Sequence, residues 1–270
     1  MVGDATEATA PDGGTVRALY RYPIKSLLGE PLESADVTER GFGGDRVAAL
    51  ADGDHIASAK HPAKWALLLQ AHARVIDGGV RVMLPDGTST SDADPDFEEL
   101  LSCYVGRPVR YLTRRPADAV VERLPGYEVG ADAPIEGTMA AAAPEGFFDY
   151  APLHLVTTAT LAVLGDADAR RFRPNLVLAV PGSGFVENDW VGRRVRVGAA
   201  VVLDVIIATP RCVVPSLAHD DLPFSADAVR AAARYNRLDV GQRTPSPCAG
   251  VYASVVRGGT VRIGDQVVVS

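Results

Sequence analysis

Apolar residues in this chain recur mainly in short runs bounded by Gly, Pro or Asp, a pattern that predicts β-strands rather than long helices. In the first half, residues 15–22 alternate imperfectly, and 47–51, 80–84 and 109–112 read as further strands. Asp77-Gly78-Gly79 predicts a hairpin turn ahead of Val80. In the second half the pattern returns at 153–156, 175–180, 194–197, 200–207, 251–256, 261–263 and 267–269. Predicted helices are few and short. One follows Pro62 (63–69), and one follows Asp94-Pro95 with Phe97, Leu100, Leu101 and Tyr104 on one face and Cys103 in its core. A third opens with Thr157 or Thr158 as cap, and a fourth (226–235) is capped by Ser225.

Short strands with few helices predict a mainly β, α+β fold of closed or nearly closed antiparallel barrels rather than a doubly wound sheet. The expected organisation is a disordered lead-in (1–14), an N-terminal β-barrel domain (15–113), a connection (114–149) and a second β domain (150–270). The connection is rich in Pro, Gly, Ala and acids, and loops of that length are usually functional or flexible.

Composition narrows the function. The 270 residues carry a net charge of −7 and 47% are hydrophobic. An acidic chain argues against a general nucleic-acid or anionic-membrane surface, so any anion site must be a local cluster of basic residues. No apolar run approaches the ~20 residues of a membrane span, and the N-terminus lacks the regions of a signal peptide. Three cysteines (Cys103, Cys212, Cys248) argue against a disulfide scaffold and for a reducing, cytoplasmic setting, and exclude an internal four-cysteine iron–sulfur cluster. The five histidines show no metal-type spacing, and no Gly-x-Gly-x-x-Gly or Walker-type loop occurs.

Four places carry candidate chemistry. Cys212 sits in Ala208-Thr-Pro-Arg-Cys-Val-Val-Pro215, after an apolar run. A thiol beside a guanidinium suits a nucleophile or a metal ligand, although free cysteine also packs in cores. Tyr22-Pro-Ile-Lys-Ser26 presents a cation and a hydroxyl after a strand, a pair suited to a phosphate oxygen or simply to a surface turn. Gly41-Phe-Gly-Gly-Asp-Arg46 is either a flexible turn or a loop that lets Arg46 reach an anion. Arg171-Phe-Arg-Pro-Asn175 sets two arginines at a strand entrance, with Asn175 placed to pin the loop backbone.

These motifs, with Trp190-Val-Gly192 and Gly259-Thr-Val-Arg-Ile-Gly-Asp265, occur in an order that resembles the MOSC-domain family, named after the C-terminal domain of molybdenum cofactor sulfurase. The layout is similar to members with an N-terminal MOSC-type barrel, such as YcbX-like proteins and mitochondrial amidoxime-reducing components. The resemblance implies a molybdenum cofactor (Mo-molybdopterin) held between the two regions, with Cys212 as the protein thiolate on molybdenum. Lys25, Ser26, Arg46 and Arg173 match positions that hold the pterin and its phosphate; Thr157, Thr158, Arg171 and Asn175 are further candidates. It implies reduction of N–O bonds in a small-molecule substrate. No ferredoxin-like module precedes the end at Val269-Ser270, so a separate electron-donating reductase is the expected partner, with no nucleic acid or membrane.

One departure stands out. Reductive members often read Thr-Thr-Val-Asp-Pro after the cysteine, whereas this chain reads Val213-Val-Pro-Ser-Leu-Ala-His-Asp220. Other readings therefore stay open: a sulfur carrier or sulfurtransferase using a Cys212 persulfide, a cofactor-binding carrier, a pathway-specific lyase, and pyridoxal phosphate on Lys25. Cys248 is expected to be buried packing and Trp190 a core anchor. His154, His219 and Asp149 are candidates near the site.

Overall fold

The computed structural model describes residues 13–117, 119–121, 146–241 and 244–270. Its centre is a closed seven-stranded barrel. The strands are β1 (Gly14–Arg21), β2 (Leu153–Thr157), β3 (Leu176–Ala179), β4 (Arg194–Val197), β5 (Val201–Pro210), β6 (Ser246–Arg257) and β7 (Gln266–Val269). Around the barrel the order is β2-β3-β1-β7-β4-β5-β6, and β6 pairs back onto β2 through Leu153↔Ala253, His154↔Tyr252 and Leu155↔Val251. Among the barrel's pairs, β2–β3 alone is parallel.

Alternation along these strands turns Leu19, Leu155, Leu178, Val195, Leu203, Val251 and Val267 into one core, on which Trp190 packs. Closure needs Gly250. Its φ is +80°, and a Cβ there would collide with the His154 ring and the Leu155 carbonyl.

The two halves interleave. β1 comes from the N-terminal half yet sits between β3 and β7. In return Gly259–Arg262 pairs with Ser34–Thr38 of that half. Gly14, expected in the lead-in, already pairs with Val267; residues 1–12 and 122–145 lie outside the described residues. Glu30–Leu32 adds to β1, Ala35, Val37 and Phe42 join the barrel core, and further N-terminal strands form small sheets beside a second core that includes Ile24, Leu50, Trp65, Leu68, Phe97 and Leu101.

The predicted hairpin is present, with Asp77-Gly78 joining His72–Ile76 to Gly79–Met83. The helix after Pro62 is one short turn, Pro62–Trp65, that tightens into a 3-10 segment, Ala66–Gln70. Cys103 is a correction: it is exposed, not core. The helix Phe97–Val105 buries Phe97, Leu101 and Val105, a four-residue repeat that turns position 103 to the other side. Ser225 accepts the amide of Asp227 just ahead of the helix Asp227–Tyr235, and Tyr235 is exposed while Ala228, Val229 and Ala232 are buried. Cys248 is fully buried, as expected. Among the described residues no helix is long and apolar enough to cross a membrane.

Candidate functional site

The Tyr22–Ser26 and Gly41–Arg46 motifs are zipped together by the backbone after β1. Arg46 N donates to Tyr22 O at 2.8 Å, Lys25 N to Ala48 O at 2.9 Å, and Ile24 bridges Ala48. Tyr22 N in turn donates to the buried Asp45 carboxylate at 2.7 Å. Lys25 and Arg46 are thereby brought side by side although 20 positions separate them in the sequence.

The third motif arrives from the short turn before β3. Asn175, fully buried, accepts from Arg46 Nη1 (3.3 Å) and from the His154 amide (3.1 Å), and donates to Tyr20 O (3.3 Å). It ties β1, β2 and the arginine loop to one point. Arg46 Nη2 donates to Arg173 O at 3.1 Å. Five non-glycine described residues have positive φ, and three of them are Ser26 (66°), Arg46 (48°) and Arg173 (55°). Backbone in this sparsely populated region persists only where its surroundings force it, and such strain gathers at functional sites.

The thiol end is built by β5. Its pairing with β6 shifts register between Val205 and Ile207 and again between Ala208 and Pro210, irregularities of the kind that re-aim side chains beside sites. Arg211 N donates to Pro247 O, and the Arg211 guanidinium contacts Phe172 O (3.1 Å) and His154 Nε2 (3.4 Å). Cys212 follows, half-buried, packed with Ala59, Leu69, Val213, Val214 and Leu217. Arg171, 7% exposed, donates to the carbonyls of Pro215, Leu217 and Pro223 and so staples the loop after Cys212.

Between these parts lies one cavity. Lys25, Arg46, Lys60, Arg173 and Arg211 line it with Asp149 as the lone carboxylate; Cys212, Leu69, Val214 and Phe172 contribute its thiol and apolar wall. A chain of net charge −7 thus gathers five cations around one hollow. Asp149 bridges two of them, at 2.5 Å to Lys25 Nζ and 3.0 Å to Lys60 Nζ. Burial opposes ionisation of Asp149, yet the two lysines hold its carboxyl well below the usual carboxylate range. Burial pulls Lys25 below the ordinary lysine value, against the pull of Asp149. Burial, with Arg46 alongside, pulls Arg173 down to about 10. Arg173 Nη1 is buried and has no hydrogen-bond partner among the described residues. That is the signature of a donor waiting for an acceptor, because an unpaired buried donor is costly. Burial, then Arg211 and Arg46, push His154 well below the ordinary histidine value, so its imidazole is neutral at pH 7. Burial and Asp149 raise Tyr252, which keeps its hydroxyl proton.

The cavity therefore gathers Lys25, Ser26, Arg46, Arg173, Asn175 and Cys212. Thr157, Thr158 and Arg171 do not line it. Thr157 caps the helix Thr158–Val163 by accepting from Thr160 N, and both Thr157 Oγ1 and Thr160 Oγ1 donate to Glu187 Oε2 at 2.7 Å. The Thr157 hydroxyl thus faces an internal carboxylate. His219 is 1% exposed with Nδ1 bonded to Leu217 O, and it stays off the cavity wall. Lys60 and Tyr252 were not legible as site residues. Lys60 sits in no motif, and Tyr252 is hidden in an apolar strand, where only its register opposite His154 reveals it. Among the described residues no group of three or more His, Cys, Asp and Glu is placed to hold a metal ion. Any metal here would take its remaining ligands from something other than such side chains.

Comparison with known proteins matches residues 148–268 to the MOSC domain and residues 13–97 to the MOSC N-terminal beta barrel domain. Over 300 aligned residues the chain is 25% identical to mitochondrial amidoxime reducing component 2 of Homo sapiens, covering 94% of this chain and 83% of that protein. The protein of the same name from Macaca fascicularis is 26% identical over 304 residues, with the same shares. Among solved structures, the YUAD protein from Bacillus subtilis aligns with a TM-score of 0.44 at 12% identity, covering 95% of this chain and 94% of that one.

Proposed function

The chain belongs to the MOSC-domain family, and from that premise we propose that it binds a molybdenum–molybdopterin cofactor in the cation-lined cavity and works as a molybdenum-dependent oxidoreductase. The single observation that carries this reading is Arg173 Nη1, buried and unpartnered in a wall of five cations. The donor set fits the group. Guanidinium and ammonium suit the phosphate of the pterin, and a lone thiolate suits a soft metal whose other sulfurs come from the pterin itself. Lys25, Ser26, Arg46 and Arg173 would hold the pterin and its phosphate, and Cys212 would ligate the metal.

When bound, the cofactor supplies the two-electron chemistry and the acceptor for an oxygen atom that no side chain of this site provides. The protein does the rest. Asn175 fixes Arg46 against the arginine loop. Arg171 holds the loop after Cys212. Burial opposes the charge on Lys60, yet Asp149 holds it above the ordinary lysine value, so a full charge stays in the wall that Cys212 shares. Tyr252, still protonated, keeps a phenol hydroxyl in the cavity wall. The apolar residues around Cys212 limit water at that end.

By likeness to proteins named for amidoxime reduction, the substrate is a small N-hydroxylated compound whose N–O bond is reduced, with electrons from a separate reductase. The test is expression in a host that makes molybdopterin, followed by assay of an aryl amidoxime with a chemically reduced viologen dye. Turnover in wild type and none in Cys212→Ser is expected. Full molybdenum loading without turnover of any N-hydroxylated compound would overturn the oxidoreductase assignment.

A further inference from the structure

Arg173 Nη1 is not the only orphan in this corner. Tyr22 Oη is also buried without a hydrogen-bond partner among the described residues. The two side chains touch: the Arg173 guanidinium lies 4.4 Å from the Tyr22 ring centroid, and the Arg46 guanidinium lies 4.9 Å from the same centroid.

We propose that Tyr22 is a positioning residue whose ring is the platform that holds Arg46 and Arg173 together as one anion-gripping pair. That the anion is the cofactor's phosphate rests on the function proposed above; the platform itself rests on geometry. Two guanidiniums over one ring repel each other, and both stand on left-handed backbone. Arg46 has a carboxylate to offset its charge, Asp45 at 2.5 Å. Among the described residues Arg173 has no ion pair, and its guanidinium rests on the Tyr22 ring. The negative face of an aromatic ring in a dry site attracts a guanidinium strongly enough to hold it in place.

Tyr22 is also the residue best fixed to do this. It is 3% exposed, its amide is held by Asp45 and its carbonyl by the Arg46 amide. The same short stretch thus sets the ring and one of the two arginines. Among the described residues nothing accepts from or donates to the hydroxyl, so the contact with the two arginines is made by the ring. The ring is what the site needs.

The experiment uses the full chain free of cofactor, as Tyr22→Phe and Tyr22→Leu beside wild type. Inorganic pyrophosphate is the calorimetric probe, thermal unfolding controls for folding, and arginine-selective NMR reads the ring-current displacement of the guanidinium N–H signals. Tyr22→Phe is expected to bind within about twofold of wild type, and Tyr22→Leu about tenfold more weakly, with loss of the displaced signals. Equal loss in Tyr22→Phe would overturn the proposal, because the hydroxyl would then be the acting group. So would wild-type affinity in a destabilised Tyr22→Leu, which would make the ring mere packing. If Tyr22→Leu does not fold, wild type against Tyr22→Phe and the displaced signals decide. Failure of wild type to bind pyrophosphate would sink the cofactor reading alone. The NMR signals then judge the platform: present in wild type they support it, and undisplaced signals overturn it.

Discussion

Arg173→Met separates a binding role from a structural one, because the two predict opposite signs. In the ligand-free protein burial, above all, pulls Arg173 from the ordinary arginine range down to about 10. At about 1.4 kcal/mol per unit, its charged form costs the folded state about 3 kcal/mol at neutral pH. The cation–π contact with Tyr22, worth about 1–2 kcal/mol when desolvated, offsets part of that cost and is lost with the charge. Methionine keeps most of the apolar stem. The ligand-free variant is therefore expected to gain about 1–2 kcal/mol, or a few degrees in Tm for a chain of this size. Binding should move the other way: a lost charge-assisted hydrogen bond is worth about 1.5–3 kcal/mol, or about 10- to 150-fold in affinity. Differential scanning fluorimetry of the cofactor-free chain, beside pyrophosphate titration, reads both. A Tm that falls by several degrees with affinity unchanged would refute the reasoning and make Arg173 a structural residue.

The same physics reaches other positions. Arg171→Ala strips three loop carbonyls of their donor; about 3 kcal/mol of destabilisation is expected, with faster hydrogen exchange over 213–223 as the local readout and unchanged exchange there as the contrary result. Glu187 sits above the ordinary glutamate value because of burial, opposed by Thr157 and Thr160, and its Oε1 is unpartnered. Its proton is held more tightly folded than unfolded, so the stability it contributes is full below the unfolded value and is lost as pH rises through the folded one. Glu187→Gln should therefore gain in Tm over wild type as pH is raised from about 4 to 7, and a pH-independent difference would contradict this. Gly250→Ala forces a side chain onto left-handed backbone and into His154 and Leu155; loss of soluble folded protein, or a cost of about 3 kcal/mol or more, is expected by denaturant titration.

The strands of the barrel were legible because apolar alternation has a period of two and the Gly and Pro breaks are local signals. Closure was less so. That β1 inserts between β3 and β7, or that Tyr252 lies opposite His154, is fixed by register between distant segments, which no local pattern encodes. Among the site residues, Lys25, Arg46, Arg173 and Cys212 could be read from motifs and resemblance, and the structure brings these four to one cavity. Lys60 escaped because a lysine after a small-residue run reads as a solvated surface group. Thr157 and Thr158 are candidates by resemblance, but the Thr157 hydroxyl is already committed to Glu187. Cys103 has apolar neighbours in sequence, but the buried repeat of its helix runs every four residues to Val105 and leaves position 103 outside it.

The central claim is that one cavity grips a phosphate with its cations and a metal with Cys212. Molybdenum and pterin analysis of wild type beside Cys212→Ser, both purified from a molybdopterin-making host, tests it most directly. Stoichiometric molybdenum in wild type, with molybdenum lost and pterin phosphate retained in the variant, is the result the account predicts. Equal molybdenum in both proteins, or none in wild type with Cys212 intact, would contradict it.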